Sequence, residues 1–408
     1  MSRVVMAGMP AAGHVNPSLP VVRALVDHGV QVIYYTAEEF RGPVERAGAR
    51  FHPYPAGTIS AADIAEATRS GSPLRVVTRI LTATESLLPF LLAELRAERP
   101  DAVAFDSNAV WGRMAATGAR LPGISLMTTM MVGSRELRSM TIREGLHFAR
   151  AAVPDVPAVR AAKRRVVRRF GEELFPPRPT FPIRGEVTIF PIPRWMQPPN
   201  PLVDERCHFV GPTLDTEARD EELDSELAAH LDAPEPLVLV SLGTLHAGAD
   251  EFFRTCFEVL ADLPARVLLS VGSHPGPARL GRPPANTLVR ASVPQLQVLR
   301  RTAVFVTHGG MNSVLEGLVN GVPLVVLPQQ FEQLVIGRAV ADRGAAVVLR
   351  HNLSNRPVPP AALRAAVEQA LTDPAHRTSA RALAATLSAD GGAAAGAAAI
   401  CELLGRSS

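Results

Sequence analysis

A strand, a Gly-Gly turn, a helix and a second strand follow one another without a gap from Ala303 to Leu327. This unit leaves the chain few folds to choose from. Ala303 to Val306 is an unbroken apolar run, as a strand buried on both faces requires. Met311, Val314, Leu315 and Leu318 then recur at helical spacing, Asn320-Gly321 is a helix stop, and Leu324 to Leu327 starts the next strand. Two strands joined by a helix predict a parallel pair, with the crossover packed on one face of a sheet. The Gly309-Gly310 turn also lets a ligand approach main-chain N–H groups, and the positive end of the following helix adds to them. Such a turn suits phosphate. His308, Asn312 and Ser313 supply polar side chains at that end, and Glu316, one turn further in, is placed to accept hydrogen bonds from hydroxyls. A plain βα turn would show the same two glycines, so the remainder of the chain has to decide between them.

The rhythm occurs in both halves. In the first, Val4 to Ala7 reads as a strand, Gly8 to Gly13 as a loop, Pro17 to Asp27 as a helix with Asn16 as its N-cap, and Val30 to Tyr35 as the next strand. Ala102 to Phe105, a helix from Asn108 to Thr117, and Gly123 to Met127 repeat it. In the second, strands are expected at Leu237 to Leu242, Arg266 to Val271, Thr287 to Ala291, Ala303 to Val306 and Leu324 to Leu327. Between them lies a stretch from about 132 to 200 that is first helical and Arg-rich, then rich in proline. At 408 residues the chain exceeds one ordinary core. The expected fold class is α/β, with two Rossmann-like, doubly wound parallel-sheet domains. The boundaries predicted are 1–213, a linker at 214–235, 236–388, and a small helical tail at 389–408.

Composition excludes several classes. Lys+Arg number 42 against 39 Asp+Glu, a net charge of +3, which is too small an excess to argue for nucleic acid. The basic run Lys163 to Arg169 falls in a helical pattern and reads as a solvated face. Three scattered cysteines carry no pairing or metal spacing and fit a reducing compartment. Met1-Ser2-Arg3 leads directly into a strand, and no uninterrupted apolar stretch reaches the ~18 residues of a membrane span. A cytoplasmic protein without a signal peptide or membrane span is therefore expected. No GxGxxG, GxxxxGK[ST], HExxH or DxD motif is present, so a dinucleotide fingerprint, a P-loop and a metal site are disfavoured.

Open parallel sheets bind ligands at the carboxyl ends of their strands, which directs attention to the loops there. In the first half, His14 follows the first strand, and a histidine is a natural general base near neutrality. Asp106 ends the Val103-Ala104-Phe105 strand and is the leading carboxylate to hold the second ring nitrogen. Asp106 could equally cap the helix that follows, and His14 could merely cap its loop. In the second half, Ser241-Leu242-Gly243-Thr244, Val293-Pro294-Gln295 and the Glu332-Gln333 pair follow strands, with groups suited to phosphate and sugar hydroxyls.

Taken together, these segments resemble family 1 GT-B glycosyltransferases over nearly the whole chain, and specifically the bacterial macrolide-type UDP-glycosyltransferases. The matching segments are Gly13-His14-Val15-Asn16-Pro17, Phe209-Val210-Gly211-Pro212, Ser241-Leu242-Gly243-Thr244 and Val293-Pro294-Gln295. His308-Gly309-Gly310-Met311-Asn312-Ser313, Glu316 and Glu332-Gln333 complete the set. The resemblance implies two domains facing a cleft, with the tail helix crossing back to the first. It implies that His14 deprotonates an acceptor hydroxyl, oriented by Asp106. Donor contacts would come from Ser241, Thr244, Val293 and Gln295, the last near uracil, with His308, Gly310, Asn312 and Ser313 at the diphosphate. Glu316 would meet the ribose, and Glu332 and Gln333 the sugar. Glu332 stands where close relatives often carry Asp, and no Trp precedes the motif as in plant members.

The expected activity is inverting transfer of a hexose, glucose being the first choice, from a UDP-sugar to a hydroxyl of a lipophilic natural product such as a macrolide, polyketide or phenolic. No tightly bound cofactor and no metal are expected. The partners would be a nucleotide sugar and a hydrophobic small molecule, not nucleic acid, with a homodimer as the candidate assembly. Met127, Met130, Met131, Met140 and Phe148, along with Trp195 and Met196, are apolar candidates for the acceptor site. The alternatives are a dTDP-deoxysugar-dependent tailoring enzyme, an epimerase or hydrolase of sugar nucleotides, and a non-catalytic nucleotide-sugar-binding partner subunit.

Overall fold

The computed structural model describes residues 2–69, 71–177, 180–214, 223–243, 249–272, 279–387 and 389–406. The chain divides into two units. One comprises Met1–Leu137, Phe148–Asp215 and Ala389–Ser408, and the other Arg138–His147 and Thr216–Ser388.

The first unit is built on seven parallel strands: β1 (Arg3–Ala7), β2 (Gln31–Thr36), β3 (Arg50–Pro53), β4 (Ala102–Asp106), β5 (Gly123–Leu126), β6 (Val187–Phe190) and β7 (Cys207–Phe209). Their order is β3-β2-β1-β4-β5-β6-β7. Alternation along the strands sends successive side chains to opposite faces. Val5, Ala7, Ile33, Tyr35, Val103 and Phe105 pack on one side with the helices Pro73–Glu98, Val110–Ala119 and Val156–Phe170. Val4, Met6, Val32, Tyr34, Ala102 and Ala104 pack on the other with the helix Ala12–Asp27 and the tail helix Gly392–Arg406. The helix after β1 and the helix after β4 therefore lie on opposite faces, and the winding direction of the sheet changes between these two neighbouring strands.

The second unit repeats the plan with six parallel strands: β8 (Leu237–Ser241), β9 (Arg266–Ser270), β10 (Thr287–Arg290), β11 (Thr302–Thr307), β12 (Leu324–Val326) and β13 (Ala346–Val348). They run in the order β10-β9-β8-β11-β12-β13. Val238, Val240, Val304 and Val306 share a core with the helices Ala249–Leu260 and Pro360–Thr372. The helix Met311–Val319 packs on the other face, where a Cβ on Gly317 would touch Leu324 at 2.8 Å and Phe305 at 3.3 Å. The change of winding thus falls between β8 and β11.

The doubly wound parallel class read from the sequence is the observed one. Details differ for local reasons. The first helix begins at Ala12, not Pro17, because Ala11 is extended and the N–H groups of His14 and Val15 both donate to its carbonyl at 2.9 Å. His14 is consequently in the first turn of a helix rather than in a loop before it. Strands β3, β6, β7 and β13 are three or four residues long and were not anticipated. Phe209, read as the start of a connection, ends the edge strand β7. Within the stretch read as a linker, Ser225–Asp232 forms a helix capped by Asp224, whose side chain accepts from Leu227 N at 2.8 Å. Residues 215–222 of that stretch lie outside the described ones.

By length and composition the helix Pro73–Glu98 is apolar enough to cross a membrane, once a few charges are tolerated. Its Ile80, Leu81, Leu87, Leu88, Leu91 and Leu95 are instead part of the first unit's core. The other stretch that meets the criterion, Pro374–Gly405, contains two helices, Pro374–Leu387 and Gly392–Arg406.

The tail helix is integral to the first unit. Ala397, Ile400 and Leu404 are buried in its core, and Gly392 N donates to Val210 O at 2.6 Å. Replacing Ile400 by Ala is expected to lower stability by about 2–5 kcal/mol through the cavity left behind. Urea unfolding measures this; a loss under about 0.5 kcal/mol would mean that the tail helix does not pack there.

Candidate functional site

In an open parallel sheet the point where the winding reverses leaves a crevice between two loops that depart in opposite directions, and ligands bind there. Both units place polar residues at this point.

In the first unit the loop after β1 is held from three sides. Gly8 lies so close to the ring of Tyr34 that a Cβ there would be 2.5 Å from Cε1. Tyr54 donates to Gly8 O at 3.0 Å, and Trp111 Nε1 donates to Tyr54 Oη at 2.9 Å. Tyr34 and Ser18 share a buried hydroxyl–hydroxyl hydrogen bond of 2.9 Å, and Ser18 donates back to Val15 O at 2.7 Å. Burial and the negative charge of Asp106 raise the Tyr34 hydroxyl far above its ordinary pKa, so it stays a neutral hydrogen-bonding group. This scaffold presents His14, whose Nδ1 lies 2.8 Å from Asp106 Oδ2. Asp106 is only 2% exposed, and its other oxygen accepts from Asn108 N at 2.8 Å. The carboxylate therefore holds the histidine and closes the turn after β4, but it does not cap the following helix, which starts at Val110 with Ala109 as its N-cap and no side-chain cap hydrogen bond. Thr128 Oγ1 stands 2.8 Å from the same His14 nitrogen, and it was not singled out from the sequence. Its signal was positional: it follows β5, which is adjacent to β4.

In the second unit Ser241 ends β8 and pairs in register with Thr307 at the end of β11. Gly309 has φ +86°, which favours glycine. A Cβ on it would also meet Val326 Cγ1 at 2.6 Å and Gln333 O at 3.1 Å, so the turn packs against the helix that follows β12. Gly310 has φ −62° and ψ 142°, open to any residue, and it is the N-cap of Met311–Val319. What it needs is space, since a Cβ there would overlap His308 Nε2. The His308 ring also lies beside Gly243, 2.9 Å from where its Cβ would be, which places the loops after β8 and β11 together. A glycine N-cap brings no side-chain oxygen to the first-turn N–H groups, whose partial positive charge suits an anion.

The remaining donor candidates divide. Gln295 opens the short helix Gln295–Leu299; its Nε2 donates to Glu316 Oε2 at 2.6 Å and reaches Ser313 Oγ at 3.5 Å. Glu316 is 3% exposed, so its carboxylate is part of a buried polar cluster rather than an open surface. Val293 is half-buried just before this helix, and Asn312 is half-buried in the first turn of Met311–Val319. Glu332 and Gln333 lie in the first turn of the helix Phe331–Ala341, not in a loop. Gln333 Oε1 accepts from Gln329 N at 2.7 Å and Gln330 N at 3.1 Å, completing a capping box. Thr244 lies outside the described residues.

The acceptor candidates are not gathered into one surface. Met127, Met130 and Met131 are buried, as is Met196. Met140 belongs to the second unit, while Phe148, 41% exposed, belongs to the first. Apolar type alone could not separate lining from core. Among the described residues no group of three His, Cys, Asp or Glu side chains could hold a metal ion.

The chain matches known proteins over this whole architecture. The family model described as "UDP-glucoronosyl and UDP-glucosyl transferase" matches residues 184–389. The NDP-glycosyltransferase YjiC of Bacillus licheniformis is 32% identical, over 91% of this chain and 90% of its own. The demethyllactenocin mycarosyltransferase of Streptomyces fradiae is 31% identical, over 84% and 74%. Among solved structures, the glycotransferase of kitacinnamycin superposes with a TM-score of 0.79 at 29% identity, covering 100% of this chain and 98% of that one. The two Rossmann-like units are those of the GT-B glycosyltransferases. With half its length under the family model and relatives of over 30% identity along most of both chains, this chain belongs to the UDP-glucuronosyl and UDP-glucosyl transferases, glycosyltransferases that draw on a nucleotide sugar.

Proposed function

We propose that the protein is an inverting glycosyltransferase that moves a hexose, glucose first among the candidates, from a UDP-sugar to a hydroxyl of a lipophilic natural product. A macrolide, a polyketide or a phenolic would fit. The observation that carries this reading is the His14–Asp106 pair of 2.8 Å at the first unit's change of winding. A nucleotide-binding partner subunit would have no use for a base built in this way.

With Nδ1–H directed to Asp106, Nε2 is the basic nitrogen of His14. It takes the proton of the acceptor hydroxyl as that oxygen attacks the anomeric carbon. The bond from this carbon to the diphosphate oxygen breaks on the opposite face, and UDP leaves with the electron pair. Attack and departure on opposite faces turn an α-linked donor into a β-glycoside. Asp106 stabilises the imidazolium, and Thr128 offers a second acceptor to the same nitrogen. The Gly309-Gly310 turn, the helix N-terminus behind it and His308 would take the growing charge on the diphosphate. The Gln295–Glu316 pair would read the nucleoside, Glu316 serving the ribose hydroxyls. Ser241, Thr244, Val293, Asn312 and Ser313 complete the donor site, and Glu332 and Gln333 hold the sugar. Because Gln333 Oε1 serves the helix cap, its amide NH2 is the group left to address the sugar. No step requires a metal.

A dTDP-deoxysugar donor is the second reading, favoured by the mycarosyltransferase among the relatives. Incubation with UDP-glucose or dTDP-sugars and a panel of macrolide, polyketide and phenolic aglycones separates these by the mass increment of the product. If UDP binds but no sugar donor yields an increment with any aglycone, the partner-subunit reading replaces both.

His14→Ala is expected to lower the transfer rate by about 10²–10⁴-fold while leaving UDP affinity within twofold. Retention of activity would remove His14 as the base. Asp106→Asn should slow transfer by a comparable factor, since the amide no longer fixes the tautomer or balances the imidazolium. Gly310→Ala introduces no backbone strain, yet its methyl displaces His308. UDP binding by calorimetry should weaken about tenfold or more, by at least the ~1.4 kcal/mol that a tenfold loss represents. Saturating EDTA should leave the transfer rate unchanged; a loss restored by a divalent cation would show a metal requirement.

A further inference from the structure

The imidazole of His14 meets two side chains at one nitrogen. Asp106 Oδ2 and Thr128 Oγ1 each lie 2.8 Å from Nδ1. A neutral imidazole has one hydrogen to place, and a carboxylate can only accept, so the Nδ1 hydrogen goes to Asp106 and is shared with the Thr128 oxygen. The Thr128 hydroxyl hydrogen then turns toward Ser107 Oγ, 3.4 Å away. With Asp106 as its sole partner, the ring could pivot about the line from Nδ1 to Oδ2. A second acceptor off that line fixes the ring plane, and with it the direction of Nε2 on the far side of the ring.

Thr128 lies in neither a strand nor a helix, so its own position depends on what holds the loop after β5. Met127 N donates to Ile189 O at 2.8 Å, and Thr128 N to Ser107 Oγ at 3.4 Å. Ser107 is itself pinned, its N–H donating to Leu126 O at 3.0 Å and its carbonyl accepting from Ile183 N at 2.8 Å. Further along, the buried side chain of Gln197 closes the loop. Its Oε1 accepts from Met131 N at 2.9 Å, while Nε2 donates to Met131 O at 2.9 Å and to Pro198 O at 2.8 Å. A carboxamide carries donor and acceptor side by side as a peptide group does, so this one side chain satisfies both backbone groups of Met131, as a neighbouring strand would. Burying a carboxamide costs free energy unless its groups are paired, and here each is. All of these residues belong to the first unit.

We propose that Thr128 is a positioning residue for His14, and that Gln197 latches the loop that brings its hydroxyl to the ring. Asp106 selects the tautomer, and Thr128 selects the plane in which Nε2 faces the acceptor hydroxyl. This rests on the glycosyltransfer reading above, in which His14 is the base, and adds what aims that base. Aim matters because a displacement of about 1 Å at a reacting group costs on the order of 10²-fold in rate.

The test uses the full chain, UDP-glucose and an aglycone that the unsubstituted protein glycosylates. Thr128→Val keeps the side-chain shape and removes the hydroxyl; it should lower kcat about tenfold, with donor and acceptor KM each within about twofold. Thr128→Ser restores the hydroxyl and should bring kcat back to within about threefold of the starting rate. Gln197→Ala should lower kcat about fivefold, and adding Thr128→Val should cost less than about twofold more, because both changes act through one ring. Gln197→Glu, which keeps the acceptor for Met131 N and loses both donations, covers the case in which Gln197→Ala fails to fold. A kcat within twofold in Thr128→Val overturns the proposal. So does a loss that falls on the donor KM, since the hydroxyl would then address the sugar, or one that persists undiminished in His14→Ala protein. A second readout needs no turnover. In protein carrying isotope-labelled histidine, NMR identifies the His14 Nδ1–H by its absence from His14→Ala, and its exchange with water should be about tenfold faster in Thr128→Val. An unchanged exchange rate overturns the proposal whether or not sugar is transferred. Failure of the unsubstituted protein to transfer any sugar, with the exchange difference present, strikes the proposed function alone.

Discussion

The chemistry of this molecule depends on the places where two adjacent parallel strands send their crossovers to opposite faces of the sheet. The helix after β1 packs on one side of the first sheet and the helix after β4 on the other; β8 and β11 do the same in the second. Loops leaving a sheet in opposite directions cannot cover each other, so the strand ends between them remain open to a ligand. His14 and Asp106 meet at one such point, and the His308-Gly309-Gly310 turn lies at the other beside Gly243. At both points the sheet register brings the strand ends together: Ala7 beside Phe105, and Ser241 beside Thr307.

Around these points polar groups serve structure and site at once. Asp106 caps a turn with one oxygen and holds His14 with the other. Gln333 caps its helix with the carbonyl oxygen, and Glu316 is bonded to Gln295 in a buried cluster. Shared duty of this kind fixes rotamers, because a side chain with two partners loses one of them by moving. It also explains why structural and functional readings of the same residue were hard to separate in the sequence.

Much of the fold was legible because its signals are local. Apolar runs such as Val4 to Ala7 and Ala303 to Val306, each followed by glycine and a helical pattern, identify buried parallel strands and their crossovers. The short edge strands were not legible, since three or four residues such as Cys207–Phe209 carry little periodicity and owe their conformation to the neighbour they pair with. The first helix was started five residues late because Asn16-Pro17 is a strong start signal, whereas the actual start at Ala12 depends on the extended backbone of Ala11. In the candidate site, motif residues such as His14, Gly309 and Gly310 could be found by spacing. Thr128 could not, because its nearness to His14 arises from β4–β5 pairing and not from any local pattern. The methionines show the limit of residue type, for Met127, Met130 and Met131 follow β5 and are buried, and an apolar side chain reads the same in a core as at a ligand.

By itself, the sequence determined the class of fold, the family, and the polar residues at the strand ends, because hydrophobic period, turn chemistry and motif spacing are properties of neighbouring residues. The tertiary structure alone decided the pairings made across distance. These include Thr128 as the third group at His14 and the docking of Arg138–His147 through Glu144 and Arg350, whereas the His14–Asp106 contact and the packing of the tail helix on the first core were already expected from the sequence. The physical reason is the same in each case. Burial and long-range hydrogen bonding depend on which surfaces meet, and a local pattern contains no record of its distant partner.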